Sequence, residues 1–426
     1  MENATLLALN RTSSWLAALA IAALAATAAI ADDPATPDAH SGLDAPHLSG
    51  DWLGGRTWLE NRGLTFDLKY SADYSKSLHG GLDTAGSRWR SLVDASMTLD
   101  TKPLFNLEGG TLFADFQSAQ GPNASDKLVG DIQGVDGLDG VPGAPHQNRT
   151  QISQLWYQQT ALGGALRIKL GKVDANTEFD HVNAAQEFLH QSAGSSATLF
   201  TLPTYPDPAM AINVFAKPHE NLQLGFGVYN GSLANGTRTG DRGPGAVFPS
   251  ADDLFLIGEI DASWSLARAH LPGRLGVGGW YSTNTFPRFD GGLATGTGAP
   301  YAFLEQTLWR ANTSDDKDER GITLFLMYGY ADPAVVPFDH NLGGGLAWTG
   351  PIPGRPTDIA GIGAQAVHFS SGYDPRASCE ISYEIFYRLQ LKPALAIKPD
   401  LQYIANPSGK GTPDALLLTV RFEIVF

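Results

Sequence analysis

In LTFDLKYSADYS, residues 64–75, every second side chain is apolar or aromatic and every intervening one is polar. Successive side chains of a strand point to opposite sides. The stretch therefore has an oily face (Leu64, Phe66, Leu68, Tyr70, Ala72, Tyr74) and a wet one (Thr65, Asp67, Lys69, Ser71, Asp73, Ser75). The chain closes in the same way. In LLLTVRFEIVF, residues 416–426, Leu416, Leu418, Val420, Phe422, Ile424 and Phe426 share one face, with Thr419, Arg421 and Glu423 on the other. Chain ends are usually frayed and polar, so a terminal phenylalanine in phase with a strand is built into a sheet. An oily face of this kind fits two surroundings, a protein core or lipid.

Period-two segments recur near 64–75, 91–101, 110–118, 151–159, 165–174, 209–217, 221–229 and 253–266, then near 274–284, 302–310, 320–330, 340–348, 361–370, 379–391, 394–405 and 414–426. Long connections (76–90, 119–150, 175–208, 230–252) alternate with shorter ones (102–109, 160–164, 218–220, 267–273), although 311–319 and 349–360 weaken the rule. A soluble sandwich has no reason to sort its loops; an outer-membrane barrel does, with short periplasmic turns and long external loops. Segments of about ten residues suit tilted strands crossing hydrocarbon, where an unpaired edge is too costly and the last strand must pair with the first. The predicted fold is all-β: a transmembrane antiparallel β-barrel of sixteen strands with a short N-terminal helix and long external loops. The helix is expected in SGDWLGGRTWLENRG, where Asp51 can cap and Gly63 can stop it.

The leader supports export. Arg11 precedes WLAALAIAALAATAAIA, which ends on the small-x-small pattern Ala29-Ile30-Ala31. Residues 1–31 read as a signal peptide, 32–48 as a flexible lead-in rich in Pro, Asp and Ala, and 49–426 as the barrel. Past the leader no apolar run is long enough for a spanning helix, and 48 Gly, 26 Pro and only 17% charged residues suit turns and strands. One cysteine, Cys379, cannot form an internal disulfide. The formal charge of -15 speaks against nucleic acid as a partner.

LSGDWLGGRTWLENRGLTFDLKYSADYSKSLHGG resembles the start of the carbohydrate-selective porins of the OprB family: a Gly-Asp-Trp element, an Arg, a short helix, then Gly before the first alternating strand. ISQLWYQQTALGGALRIKLGKVDANTEF and AAQEFLHQSAGSSATLFTLPTYPDPA are similar to that family's Leu-Trp strand, its Gly-Lys-x-Asp strand end and its Phe-rich third loop. Leu53 interrupts a usually tighter motif, and His190-Gln191 stand where an Asn-Ser pair is expected. The resemblance implies a sixteen-stranded channel for glucose and related small sugars in the bacterial outer membrane.

In such a barrel the polar face of each strand lines the lumen. Asp67, Lys69, Asp94, Asp115, Arg167, Lys169, Glu259 and Asp261 are the expected pore lining, with Leu68, Leu99, Phe116 and Ile168 facing lipid. Inward charge of both signs can satisfy sugar hydroxyls, each a donor and an acceptor. The connection at 175–208 is too apolar for a free loop, so it is expected to fold into the mouth and present Glu178, Asp180 and Glu187 at a constriction. GVDGLDGVPGAP, residues 134–145, reads as a mobile external loop; Asp131, Asp136 and Asp139 lack EF-hand spacing and are not expected to hold calcium. No metal or other cofactor is implied. Catalytic signatures such as G-x-S-x-G and H-E-x-x-H are absent, which leaves an outer-membrane barrel hydrolase assembled from distant segments as one rival. A general diffusion porin, a lectin-like sandwich and an adhesin are others, while a plugged siderophore transporter would need a large N-terminal plug domain and more strands than this length allows. Whether the barrel is a monomer or a homotrimer is open at this level.

Overall fold

The computed structural model describes residues 42, 45–139, 148–235, 237, 239, 253–266, 270–315, 317–373 and 378–426; the leader lies outside them. Sixteen strands follow in order: β1 (Leu64–His79), β2 (Arg88–Asp100), β3 (Gly110–Gln120), β4 (Arg149–Ala161), β5 (Leu166–Val173), β6 (Ala209–His219), β7 (Leu222–Asn230) and β8 (Leu254–Leu266). The second half adds β9 (Leu271–Pro287), β10 (Leu293–Arg310), β11 (Gly321–Tyr330), β12 (Phe338–Thr349), β13 (Ile359–Phe369), β14 (Cys379–Lys392), β15 (Leu395–Ala405) and β16 (Ala415–Val425). Each pairs antiparallel with its neighbours, and β16 closes the barrel on β1.

Every expected strand is present, but the β9–β10 hairpin is longer than its sequence suggests. GGLATGTGAP reads as loop because glycine punctuates it, yet Leu293–Ala299 pairs along β9, with Gly296 (φ +79°) at a register shift between Thr295 and Thr297. The external connection at 288–292 is therefore short, while 311–320 and 350–358 at the opposite end are not. Loop sorting holds from β3 to β9 only, since the connection at 80–87 is already no longer than that at 101–109.

The termini meet at the end that carries the shortest turns, 220–221 and 393–394, which is the periplasmic end by the rule for such barrels. Helix α1 (Gly55–Glu60) places Arg56 there. Its guanidinium donates to the carbonyls of Phe66 (2.8 Å) and of the terminal Phe426 (3.0 Å). The Phe426 N–H donates to Leu68 O at 2.8 Å, and the Leu48 N–H to Val425 O at 2.8 Å. The last residues of the expected lead-in are thus tied to the final strand.

Cross-strand register puts Asp67, Ser96 and Asp115 on the inner face and leaves Leu68, Leu99, Phe116 and Ile168 outside, as expected. The outer belt is apolar, with Ile212, Ile260, Leu342, Ile362 and Ile385 all exposed. The inner face departs from expectation, because from β6 to β14 it is largely aromatic rather than polar. Phe215, Tyr229, Phe255, Trp280, Tyr301, Phe303, Phe325 and Phe386 point inward and are buried. Glycines opposite them make the room: a Cβ at Gly276 would overlap the ring of Phe303, and one at Gly361 the ring of Phe386.

The connection at 174–208 covers this apolar sector. Phe179, Val182, Phe188, Leu189, Leu199 and Leu202 are all buried, with ring contacts of Phe179 to Phe215 (5.2 Å) and Phe188 to Phe386 (4.9 Å). Burying a side chain of this size contributes about 1.5–3 kcal/mol, so the loop's composition drives it inward.

Candidate functional site

A chain segment without regular structure inside a barrel leaves N–H groups with no sheet partner, each costing about 1–3 kcal/mol if buried and unpaired. Three carboxyl groups of the wall meet that need. Glu259 on β8 accepts the Asp180 N–H and the Tyr301 hydroxyl, both at 2.7 Å. Glu305 on β10 accepts the Ala184 N–H at 2.7 Å and the Asn183 amide at 3.0 Å. Glu384 on β14 accepts the N–H groups of Leu189 and His190 at 2.6 and 3.2 Å. In the opposite sense, Glu178 of the loop meets Arg167 (2.6 Å) and Lys169 of β5.

These anchors correct the expected constriction. Glu178 and Asp180 are buried against wall and loop rather than presented to the lumen. Burial pushes the Asp180 carboxyl up to about 7, against the opposing pull of the Ser196 N–H, and pushes His190 down to about 3, leaving a neutral imidazole. Of the three residues expected there, Glu187 alone reaches the open space, with its side chain 31% exposed.

A second loop also enters the lumen, contrary to the reading of 134–145 as mobile and external. Leu128, Val129 and Val135 pack against Ile404, Ala415 and Leu417 of the wall. Asp136 is fully buried between Arg90 of β2 and Arg421 of β16 (2.8 Å), and Asp139 also meets Arg90. Burial raises the Asp136 carboxyl, but the two guanidinium groups outweigh it and hold the group at about 2. Asp136 and Asp139 are thus engaged by arginines, while Asp131 accepts the Gly134 N–H at 2.7 Å. Residues 140–145 lie outside the described residues.

Among the described residues, an open space lies in the periplasmic half. Under the first loop is a cavity of about 490 Å³ whose lining includes Asn183, Glu187, Arg274, Glu305, Thr307 and Thr323. On one side Glu187 pairs with Lys398 at 2.6 Å, Arg388 with Glu423 at 3.0 Å, and Lys69 with Glu423 at 2.5 Å. On the other, Arg274 pairs with Glu305 at 3.2 Å and rests 4.6 Å over the ring of Phe303. Of the eight expected lining residues, Asp67, Lys69, Asp94 and Arg167 keep contact with solvent, whereas Asp115, Lys169, Glu259 and Asp261 are buried. Arg274 and Glu305, which line the cavity, are not among the expected residues.

A family model described as carbohydrate-selective porin, OprB family, matches residues 91–426. The chain belongs to the OprB family of carbohydrate-selective porins. It is 24% identical to Porin B of Pseudomonas aeruginosa, with 89% of this chain and 91% of that one aligned. The fold is similar to the high-pH structure of Pseudomonas putida OprB, with a TM-score of 0.79 at 20% identity over 90% of this chain and 99% of that one. Against the low-pH structure of the same protein the TM-score is 0.60 at 19% identity, over 90% of this chain and all of that one. As an OprB-family porin the chain is a channel protein of the bacterial outer membrane and not an enzyme.

Proposed function

We propose that this porin passes small neutral sugars such as glucose by passive diffusion, with its outer belt in contact with outer-membrane lipid. The observation that carries the reading is the charge around the cavity beneath the loop, where Glu187, Arg274, Glu305 and Glu319 face one space and Glu187 is paired in turn with Lys398 and Arg388, the latter joined through Glu423 to Lys69. Each ion pair there can open to accept from and donate to a hydroxyl, which is what a polyol needs as it sheds water. The two signs nearly balance, so the lining offers a neutral solute many bonds and gives an ion of either sign little advantage. Binding has to stay weak, because a pore that holds its solute tightly cannot release it. Asp67, Asp94 and Arg167 are part of the same proposed path.

Single-channel recording in planar bilayers tests this. Glucose on either side should interrupt the ion current with a dissociation constant on the order of millimolar, about -4 kcal/mol. Glu187→Gln should shorten the interruptions up to about tenfold, the worth of one hydrogen bond of ordinary strength. A current that ignores glucose in the wild-type protein would make the channel a general diffusion pore.

A further inference from the structure

The N-terminal element sits on the outside of the barrel rather than across its mouth. Phe66 points outward with Leu68, and the Trp52 ring packs at 6.4 Å from Phe66. The next residue, Leu53, is 86% exposed although its backbone is left-handed (φ 61°, ψ 36°), a conformation that suits glycine and costs leucine strain. Trp58 of α1 is also exposed, with Arg62 lying 3.8 Å over its ring. Gly63 then abuts the turn between β2 and β3, where the Asp100 N–H donates to Gly63 O at 2.8 Å. That turn exposes Leu104, Phe105 and Leu107.

We propose that this patch is an interfacial anchor, seated in the headgroup and upper acyl region of the periplasmic phospholipid leaflet. Continuity identifies the occupant: Trp52 extends the outward row of Phe66 and Leu68, so lipid that reaches Leu68 continues onto the patch. Its tryptophan, leucine and phenylalanine beside charged groups (Arg62, Glu60 and the exposed Lys102–Glu108 pair) are the composition of segments lying at a membrane interface. The strained backbone at Leu53 aims a large apolar side chain that the described residues leave 86% exposed, and lipid gives that side chain a partner. The inference rests on the lipid-facing reading of the outer belt and is tested separately from it.

The experiment uses the full-length protein carrying Cys379→Ser, reconstituted in phosphatidylethanolamine and phosphatidylglycerol vesicles. A nitroxide is attached through Leu53→Cys, through Phe105→Cys as a second site in the patch, through Ile385→Cys in the belt, or through Ser314→Cys in an exposed turn. Collision with oxygen, which concentrates in lipid, is compared with collision with a water-soluble nickel chelate. At positions 53 and 105 the oxygen-to-nickel ratio should exceed that at 314 by about fivefold or more, approaching the value at 385. Ratios at 53 and 105 equal to that at 314, with 385 lipid-like, would overturn the anchor and leave the barrel's membrane reading standing. A water-like ratio at 385 would overturn both. Protection at 53 and 105 that disappears on diluting protein in excess lipid would assign the patch to a second copy of the chain and overturn the anchor.

Discussion

Replacing Arg90 with methionine should release the 121–139 loop from the lumen and raise single-channel conductance. Arg90 is buried and contacts Asp136, Asp139 and, at 3.9 Å, Asp73. Without it, Arg421 alone is left to Asp73 and Asp136, and buried Asp139 loses its arginine. Removing one partner of a buried ion pair costs about 3–5 kcal/mol, because the remaining charge keeps its desolvation cost without its compensation. Leu128, Val129 and Val135 remain packed on the wall and Glu380 of β14 still accepts the Ile132 and Gln133 N–H groups at 3.0 and 3.2 Å, so the loop should yield from its 136–139 end while the sixteen-stranded barrel holds. Conductance in planar bilayers and protease cleavage within 121–139 report the release. Wild-type conductance together with full protease resistance would show that the arginine network is not what docks the loop.

The second large effect concerns the outer belt. Ile385, exposed near the middle of β14, should tolerate arginine poorly: about 2–4 kcal/mol of folding stability is lost for arginine at the bilayer midplane. Ser96 faces inward between Asp67 and Asp115 in register, so Ser96→Arg should change stability by little. Reversible unfolding in lipid vesicles measures both. Equal losses at the two positions would mean that the outward face does not meet hydrocarbon.

The barrel was legible in the sequence because lipid-facing positions keep an apolar period of two from Leu64 to Tyr74 in β1 and along β16, and recur through the strands between them. Lumen-facing positions are less regular, and the reason is particular. In β9 the inward row runs Arg274, Gly276, Gly278, Trp280, and in β10 it runs Tyr301, Phe303, Glu305. Glycine and aromatic residues on a wet face invert the expected contrast and hide the two charges between them. The apolar loop at 174–208 announced that it needed cover, since its phenylalanines have no other reason to be there. The loop at 121–139 gave no such signal. Its Asp-Gly spacing looks like free turn, and its partners Arg90 and Arg421 come from β2 and from β16, at the two ends of the barrel sequence. The same distance in sequence explains the constriction. Whether an acid faces solute or accepts a loop N–H depends on where the loop lands, and nothing local to Glu178, Asp180 or Glu259 encodes that.

Liposome swelling with the purified protein decides whether the channel selects sugars. Vesicles should swell faster in glucose and other small neutral sugars than in amino acids or salts of similar size, because the open lumen is lined by paired charges that can serve hydroxyls without favouring an ion of either sign. Equal rates for all solutes of the same size, with wild-type loops in place, would contradict a carbohydrate-selective channel and leave only a water-filled hole.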